Sequence, residues 1–442
     1  MTQKTRTGLG DEEPARHGAR PAVAACDAPG LVTHLRPSDF RPVVSGTHRG
    51  RPVFHLEWSD EVADSTTSAR LLPANLSHIS DVAMPAEALG AVVVGLGRAG
   101  MGLHIPILEK IRQYGAAASP FGAVVGLVDT AETGIKRALH RLEYDYGYDP
   151  KRVSCATSLA DLAGVDPDHT IVHICTPAHD HASTMRAATE AGFRRIIVEK
   201  PCAANTADVD EMQRIAERTG AGVAVINPYL YSRSVASCKD KIQELGRQPH
   251  YLDFEMSKPR ITPTLAGRSR PESVMDVELP HQIAAALYLT EASQYRVLRA
   301  EVRHMHYREM DTDVCKVVPN MGVGIIVLEL DQCIAVLVSS LDALTRTRVL
   351  KLRFSNAEHI EAFLPVTGDD HTSVVIEYSG HNTDGTTEQQ RVAKLPDDML
   401  ARCLFDTYSR FVTDSPQLSD LTFNRKVVDV MDKAKMFARI RR

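Results

Sequence analysis

Short apolar runs alternate with amphipathic stretches along the middle of the chain, from Ala91 onward. The runs predict strands at residues 91–94, 123–129, 170–175, 196–198 and 222–226, and the stretches between them predict helices at 99–114, 131–142, 179–191 and 205–219. Strands that are short, almost wholly apolar and separated by helices are typical of a parallel sheet covered on both faces. Residues 87–228 are therefore predicted to form a doubly wound α/β domain of the Rossmann type.

The pattern changes after Pro228. Five further strands are predicted at 250–256, 324–330, 334–340, 349–355 and 373–378, separated by turn residues rather than by regularly alternating helices. Helices are predicted at 281–290, 397–412 and 424–440. Residues 229–442 are therefore predicted to form an α+β domain with a large open, mainly antiparallel sheet.

The first 86 residues lack such a series of predicted strands and helices. Residues 1–38 are rich in Gly, Pro, Arg and Ala with few large apolar groups, which predicts a disordered tail. Residues 39–86 are interpreted as an appendage, with a possible hairpin where two alternating stretches flank the glycine at position 50.

Composition excludes several classes of protein. The 442 residues are 43% apolar, and 51 basic against 56 acidic side chains give a net charge of −5. The chain can bury a large core, and it offers no general attraction to nucleic acid or anionic membranes. Eight scattered cysteines without a C-x-x-C pair predict neither a zinc site nor a disulfide framework and suit a reducing cytoplasm. Since no signal peptide or apolar run of about 20 residues is present, a cytoplasmic location is expected.

A glycine-rich turn directly follows the first predicted strand of the α/β domain. It reads Gly95-Leu96-Gly97-Arg98-Ala99-Gly100 and opens a helix. The first glycine permits the tight turn, the second lets a pyrophosphate approach the backbone, and the third allows close contact of helix and strand. We expect the turn, including Arg98 and Ala99, to bind a dinucleotide on its free N–H groups.

Asp129 ends the next predicted strand. A carboxylate at this place can accept hydrogen bonds from the adenosine ribose and would repel a 2′-phosphate, so NAD is favoured over NADP. The alternative is that Asp129 caps the following helix and binds no ligand.

Four further motifs give the chain a family resemblance. His104-Ile-Pro106 follows the glycine turn, Thr176-Pro177 ends a strand before His179 and His181, Glu199-Lys200-Pro201 ends the next, and Asn227-Pro228 follows the last. This order resembles the Gfo/Idh/MocA oxidoreductases over roughly residues 88–442. The resemblance implies an NAD(P)-dependent dehydrogenase acting on a sugar, aminosugar or cyclitol, assembled as a homodimer or homotetramer through its second-domain sheet.

The resemblance also implies roles for individual residues. Lys200 would contact the substrate oxygen near the nicotinamide, where a cation stabilises developing negative charge. The residues implied to contact the cofactor beyond the glycine turn are Thr176, Pro177, His181, Glu199 and Lys200. Those implied to contact the substrate are Lys200, Asn227, Tyr229, Tyr231 and His281. The alternative for the two tyrosines is a place in the core or an interface.

His281 is the predicted acid–base residue. The family usually supplies this histidine from a D-x-x-x-H element, but here Val277 stands four residues before His281, and the carboxylates are Asp276 and Glu278. Either could support His281, and Glu278 could itself accept the proton. Pro280 suits the first turn of a helix, where the dipole favours a neutral imidazole. The alternative is a histidine packed between domains.

Two weaker signals concern ligands. The stretch 257–273 carries Lys258, Arg260, Arg268 and Arg270 and is interpreted as a loop, which either binds an anionic substrate or is a solvated surface. His179 and His181 would point in different directions from a helix start, so no metal site is predicted.

Two other functions are compatible with the same motifs. Redox-neutral NAD-dependent glycosidases occur in this family, and some proteins of this fold bind a dinucleotide as regulators without doing chemistry. The presence of Lys200 and His281 favours the dehydrogenase.

Overall fold

The computed structural model describes residues 40–48, 51–58, 88–115, 119–261, 273–308, 315–354, 358–367, 370–381 and 387–439. The chain divides into two compact units, residues 1–71 and 72–442. In the first unit, β1 (Phe40–His48) and β2 (Arg51–Trp58) pair as an antiparallel hairpin. The predicted tail lies outside the described residues.

The second unit begins with a six-stranded parallel sheet, as predicted from the alternating pattern. Its strands follow the order β5-β4-β3-β6-β7-β8. Their bounds are Leu89–Val94 for β3, Phe121–Val128 for β4, Ser154–Ala156 for β5, Thr170–Ile174 for β6, Arg195–Val198 for β7 and Gly222–Val225 for β8. Helices α1 (Ile105–Gly115), α2 (Glu132–Tyr146), α3 (His181–Glu190) and α4 (Thr206–Thr219) accompany them. This order brings the carboxyl ends of β3 and β6 together at the switch point, where ligands of such sheets bind.

Both faces of this sheet are buried, which explains the apolar runs. Successive residues of β3 belong to opposite cores, since Val93 lies in one buried cluster and Val92 in the other. All five residues of β6 are buried. A strand that has no solvent-exposed face does not alternate between polar and apolar residues.

The second half of the unit is built on an eight-stranded sheet in the order β10-β13-β14-β9-β15-β16-β17-β18. The strands are β9 (Tyr251–Pro259), β10 (Tyr295–Val302), β13 (Val323–Leu330), β14 (Cys333–Ser340), β15 (Asp342–Arg353), β16 (His359–Phe363), β17 (Thr372–His381) and β18 (Thr387–Pro396). A small pair, β11 (Met305–Arg308) and β12 (Cys315–Val318), stands apart. Neighbours in the large sheet are antiparallel except for β9 and β14, which are parallel. The predicted fold class is thus confirmed.

Four helices complete this half: α5 (Arg233–Leu245), α6 (Leu279–Thr290), α7 (Met399–Val412) and α8 (Leu421–Phe437). Helix α6 is buried along almost its whole length because it packs against β14, α5 and α8. Gln282 secures it to the sheet by donating to the carbonyls of Phe254 and Val338, at 2.7 and 2.8 Å. Helices α7 and α8 return to pack on α1 and α4 of the parallel-sheet half. Within the described residues, no helix is long and apolar enough to cross a membrane.

Candidate active site

The glycine turn has the geometry that a dinucleotide requires. Gly95 has a φ of 88°, and a Cβ on it would lie 2.8 Å from the Cys175 backbone. A Cβ on Gly100 would lie 2.3 Å from the Gly95 carbonyl oxygen, so helix and strand meet in direct contact. A Cβ on Gly97, by contrast, would meet nothing within 4 Å. The open space beside Gly97 fits a pyrophosphate approaching the backbone. The helix that follows begins with a π-helical turn, Gly100–His104, which leads into α1.

Asp129 is bound to this turn. Its carboxylate accepts hydrogen bonds from the backbone N–H groups of Leu96 and Ala131, at 2.7 and 2.8 Å. Asp129 therefore lies beside the glycine turn and also orders the start of α2. Both the ligand-binding and the helix-capping interpretation are compatible with these contacts.

His181 ties together two loops at the carboxyl edge of the parallel sheet. Its Nδ1 lies 2.9 Å from the Cys202 carbonyl oxygen and its Nε2 2.8 Å from that of Thr176. The ring is buried, and burial lowers the pKa of His181. Because the neutral ring carries a single N–H, it donates to one of these two carbonyls, and His181 shapes the edge next to Thr176-Pro177 through the backbone. His179 points to solvent, and the described residues contain no cluster of His, Cys, Asp and Glu side chains suited to a metal ion.

A buried chain of side chains lies beneath this edge. Glu199 Oε1 is 2.8 Å from His104 Nε2, His104 Nδ1 is 2.7 Å from His173 Nδ1, and His173 Nε2 is 2.7 Å from the Tyr408 hydroxyl. The chain connects the end of β7 to α7 through the core. His104 belongs to a motif quoted above, but sequence reasoning missed His173 and Tyr408. The one available signal was a histidine inside the apolar run of β6.

This series of hydrogen-bonded side chains contains a buried ion pair, His104 with Glu199. Burial opposes charge on His104, but the adjacent Cys175 thiol and the Glu199 carboxylate raise the pKa of His104 to about 10. Burial acts against ionisation of Glu199 as well, and the hydrogen bond from His104 outweighs it and lowers the Glu199 pKa. The pKa of His173 is well below its ordinary value because of burial and the nearby His104 charge. Glu199 is thus fixed as a carboxylate, and its other oxygen accepts the backbone N–H of Lys200 at 3.1 Å.

Lys200 reaches from β7 to the start of α6. Its ammonium donates to the Val277 carbonyl at 2.8 Å, one turn before His281. Burial lowers the pKa of Lys200, against the attraction of Glu199. The structure therefore brings the end of the parallel sheet and the first turn of α6 together, as the predicted site requires.

His281 occupies the first turn of α6, after Pro280. It is buried, and its Nδ1 has no hydrogen-bond partner among the described residues. Burial, followed by the charge of Lys200, holds the pKa of His281 well below 6.5. A neutral imidazole with a free nitrogen is the form in which histidine acts as a general base.

The two predicted supporting carboxylates have other partners. Asp276 accepts the backbone N–H and hydroxyl of Ser273 and pairs with Lys435 at 2.6 Å. Glu278 is buried in an ion pair with Lys258. Neither carboxylate hydrogen-bonds the His281 ring in the part of the chain that the structure describes.

The three predicted substrate residues after β8 separate in space. The Tyr229 ring lies 4.9 Å from the His281 ring, measured between centroids, and borders the site. The Asn227 amide instead donates to Ser419 and Asn424 at 2.8 Å each, because the start of α8 packs against this turn. Tyr231 is buried against α7. The Asn227 amide and the Tyr231 ring thus contact the C-terminal helices, and their predicted contact with the substrate stays a prediction.

Comparison with known proteins agrees with this architecture. Residues 89–227 match the model of an oxidoreductase family with an NAD-binding Rossmann fold, and this match confirms the resemblance drawn from the motifs. A curated relative, an uncharacterized protein of Saccharomyces cerevisiae, is 33% identical over 81 residues, which make up 18% of this chain. The matched segment spans only 23% of that relative's length.

Solved structures extend the likeness to the second half. The 3-ketoreductase KijD10 of Actinomadura kijaniata, crystallised as a variant with NADP and TDP-benzene, is 18% identical and has a TM-score of 0.60. The match covers 79% of this chain and 98% of that one. The UDP-N-acetylglucosamine 3-dehydrogenase GnnA of Acidithiobacillus ferrooxidans is 20% identical with a TM-score of 0.58, covering 80% of this chain and 100% of that one. At these identities the likeness establishes the fold.

Proposed function

We propose that this chain is an NAD-dependent enzyme of the Gfo/Idh/MocA type, which interconverts a secondary alcohol and a ketone on a sugar, aminosugar or cyclitol. The observation that carries the proposal is the meeting of Lys200 and His281. The Lys200 ammonium donates to the Val277 carbonyl, four residues before His281, and burial, followed by the charge of Lys200, lowers the pKa of His281. A cation and a neutral imidazole therefore face one region at the carboxyl edge of the parallel sheet.

These two groups suit the proton and charge changes at a hydroxyl-bearing carbon. When the dinucleotide is bound, its nicotinamide accepts or returns the hydride. The Lys200 ammonium stabilises negative charge on the substrate oxygen, and the free Nδ1 of His281 takes the hydroxyl proton or gives it back. Tyr229 packs against His281 and limits the motion of its ring.

The preference for NAD rests on Asp129. Its carboxylate lies on the glycine turn, where the adenosine ribose would bind, and a 2′-phosphate there would meet a negative charge. KijD10 was crystallised with NADP. That choice of cofactor is a property of KijD10, and we assign NAD to this chain on its own residue.

We assign the outer face of the large sheet to a homo-oligomer interface. Along β13 and β14, apolar residues alternate between buried and half-exposed positions. The half-exposed set is Val323, Ile325, Val327, Ile334, Val336 and Val338. Such a patch on an open sheet is typical of a surface that a second subunit covers.

A reduction screen tests the reaction. The full-length protein is incubated with NAD or NADP and with sugars, aminosugars, cyclitols and nucleotide sugars, and NADH formation is followed by absorbance. Lys200→Met serves as the matched inactive variant, and products are analysed by mass to detect sugar release without net reduction. We expect NAD reduction by wild type only. Calorimetric NAD binding without turnover in either direction would refute the proposal and favour a regulator, and release of sugar with no NADH would favour the glycosidase.

A further inference from the structure

The inward face of β9 changes from apolar to cationic where the large sheet approaches Lys200. Side chains two residues apart on a strand share a face, and the preceding inward positions are buried and apolar: Leu252, Phe254 and Met256. The next position on this face is Lys258, still within β9, and Arg260 follows the strand. Lys258 is therefore part of the sheet, which corrects its interpretation as a loop residue. Arg268 and Arg270 lie outside the described residues.

The neighbouring strand β15 repeats the change. Leu350 and Leu352 are buried on its inward face, and Arg348 precedes them on the same side. Arg348 is paired in register with Met256 of β9. Its guanidinium lies 5.7 Å from the centre of the Tyr229 ring and donates to the Pro365 carbonyl. Because Tyr229 packs against His281, this cation also borders the candidate active site.

The basic groups here outnumber the acidic ones. Three of the nearby carboxylates already have a cationic partner: Glu199 pairs with His104, Asp276 with Lys435 and Glu278 with Lys258. Two others, Asp342 opposite Pro259 and Asp397 near Tyr229, accept hydrogen bonds from serine hydroxyls. Lys200, Arg260 and Arg348 have no carboxylate partner among the described residues. The Arg260 Nε is buried there without a hydrogen-bond partner, as is His281 Nδ1.

An excess of partly buried cations costs stability, because their repulsion is not screened by solvent. The positively charged ring of an oxidised nicotinamide would add to this repulsion. A ligand with negative charge would offset the repulsion among the side chains and the charge of the nicotinamide. We infer that the substrate carries an anionic group, a carboxylate or a phosphate, beside the reacting carbon, and that Lys258 and Arg260 bind it. The inference rests on the proposed function for its reacting carbon.

The position of Lys258 fixes where the anion would lie. Glu278, its partner, is one turn before His281, and the Glu278 carbonyl accepts the His281 backbone N–H at 3.0 Å. Lys258 thus reaches the first turn of α6, the same turn that holds the imidazole. Since an ammonium has three donors, it can keep Glu278 and still bind a second oxygen.

The test is calorimetric binding to the NAD-loaded protein. The probes are glucuronate, glucose 6-phosphate and UDP-glucose, with glucose as the neutral counterpart. We expect at least one anionic probe to bind about 10- to 100-fold more tightly than glucose, as one or two charge-assisted hydrogen bonds allow. The probe that binds more tightly than glucose identifies the anionic group: glucuronate reports a carboxylate, glucose 6-phosphate a phosphate monoester and UDP-glucose a diphosphate. Equal affinity of all four would overturn the inference.

Variants locate the site. Arg260→Met should remove most of the affinity difference between the anionic probe and glucose. The double variant Lys258→Met with Glu278→Gln should do the same, and it leaves no unpaired buried charge. The control is Lys136→Met, because Lys136 is exposed on α2 and pairs with Glu132 there. If both test variants still bind the anionic probe more tightly than glucose, the assignment to these residues is overturned.

The readout separates this inference from the proposed reaction. Tight binding of an anionic probe without NAD reduction would support the anion site and count against the dehydrogenase. Reduction of NAD by a neutral sugar, with kcat/KM equal to that of its acidic counterpart, would support the dehydrogenase and overturn the anion site.

Discussion

Replacing Glu199 with glutamine removes the carboxylate that keeps His104 charged in the core. Both residues are buried, and their side chains meet at 2.8 Å. The raised pKa of His104, about 10 against 6.5, means that the folded state retains a proton that the unfolded state loses. At pH 7 this difference corresponds to roughly 4 kcal/mol of stability, within the range of about 3–5 kcal/mol for breaking a buried ion pair.

The sign of the pH dependence follows from the same shift. A histidine whose pKa is raised by folding contributes fully below pH 6.5, and the contribution is lost as the pH rises toward 10. Wild type should therefore lose about 1.4 kcal/mol per pH unit from this group between pH 7 and 9. In Glu199→Gln the imidazole loses the carboxylate that helps to keep it protonated, so the gap between the two proteins should narrow as the pH rises.

Urea unfolding followed by circular dichroism at pH 7, 8 and 9 measures this gap. Tryptophan fluorescence is unsuitable, because the only tryptophan in the sequence, Trp58, lies in the N-terminal hairpin. The control is Glu211→Gln, whose partner Arg186 is at the surface of α3. That exposed pair should contribute less than about 1 kcal/mol with no pH trend. A gap for Glu199→Gln that stays constant with pH would refute a charged His104.

Three further changes test the site itself. Lys200→Met should lower kcat by about 10²–10³-fold, the effect of losing one oxyanion donor, with the calorimetric Kd for NAD almost unchanged; a loss of NAD affinity alone would contradict its role. Asp129→Ala should weaken NAD by about 10- to 100-fold and relax discrimination against NADP, and an unchanged preference would mean that the ribose is bound elsewhere. In wild type, alcohol oxidation should fall only well below pH 6.5, because the neutral form of His281 is the base. His281→Ala should lower the rate by about 10²–10⁴-fold, and survival of the same acidic limb would transfer the base role to Glu278.

The α/β half could be predicted almost element by element, because its strands are buried on both faces. Predicted strands at 170–175 and 196–198 correspond to β6 (Thr170–Ile174) and β7 (Arg195–Val198). Apolar runs of this kind have few other interpretations once helices alternate with them. The placement of the motif residues at one edge could also be predicted, since parallel strands bring their carboxyl ends to the same edge of the sheet.

The large sheet was predicted in class but not in detail. Strands β10 and β18 were missed because their sequences, YRVLRAEV and TEQQRVAKLP, carry charged side chains at irregular spacing. A strand with one solvated face need not alternate cleanly when it lies at or near an edge, and both of these end the sheet. The parallel pairing of β9 with β14 depends on the path of the chain, which local sequence does not encode.

The partners of the site residues came from segments far apart in sequence. Glu199 meets His104, 95 residues earlier, and His173 meets Tyr408, 235 residues later. A motif identifies a residue by its local surroundings, and a hydrogen bond depends on where two distant elements pack. Asn227 illustrates the difference, because its motif was found correctly and its amide nevertheless contacts the start of α8.

Lys258 is the case in which local sequence did contain the answer. The alternation Leu252, Phe254, Met256 fixes which face of β9 is buried, and the same period continued by one step puts Lys258 on that face. A lysine on an inward face must be paired, and Glu278 is the carboxylate that pairs with Lys258 within a group of several cations. A basic residue that continues a buried alternation is therefore a stronger indication of an anionic ligand than a basic loop, because solvent cannot neutralise it.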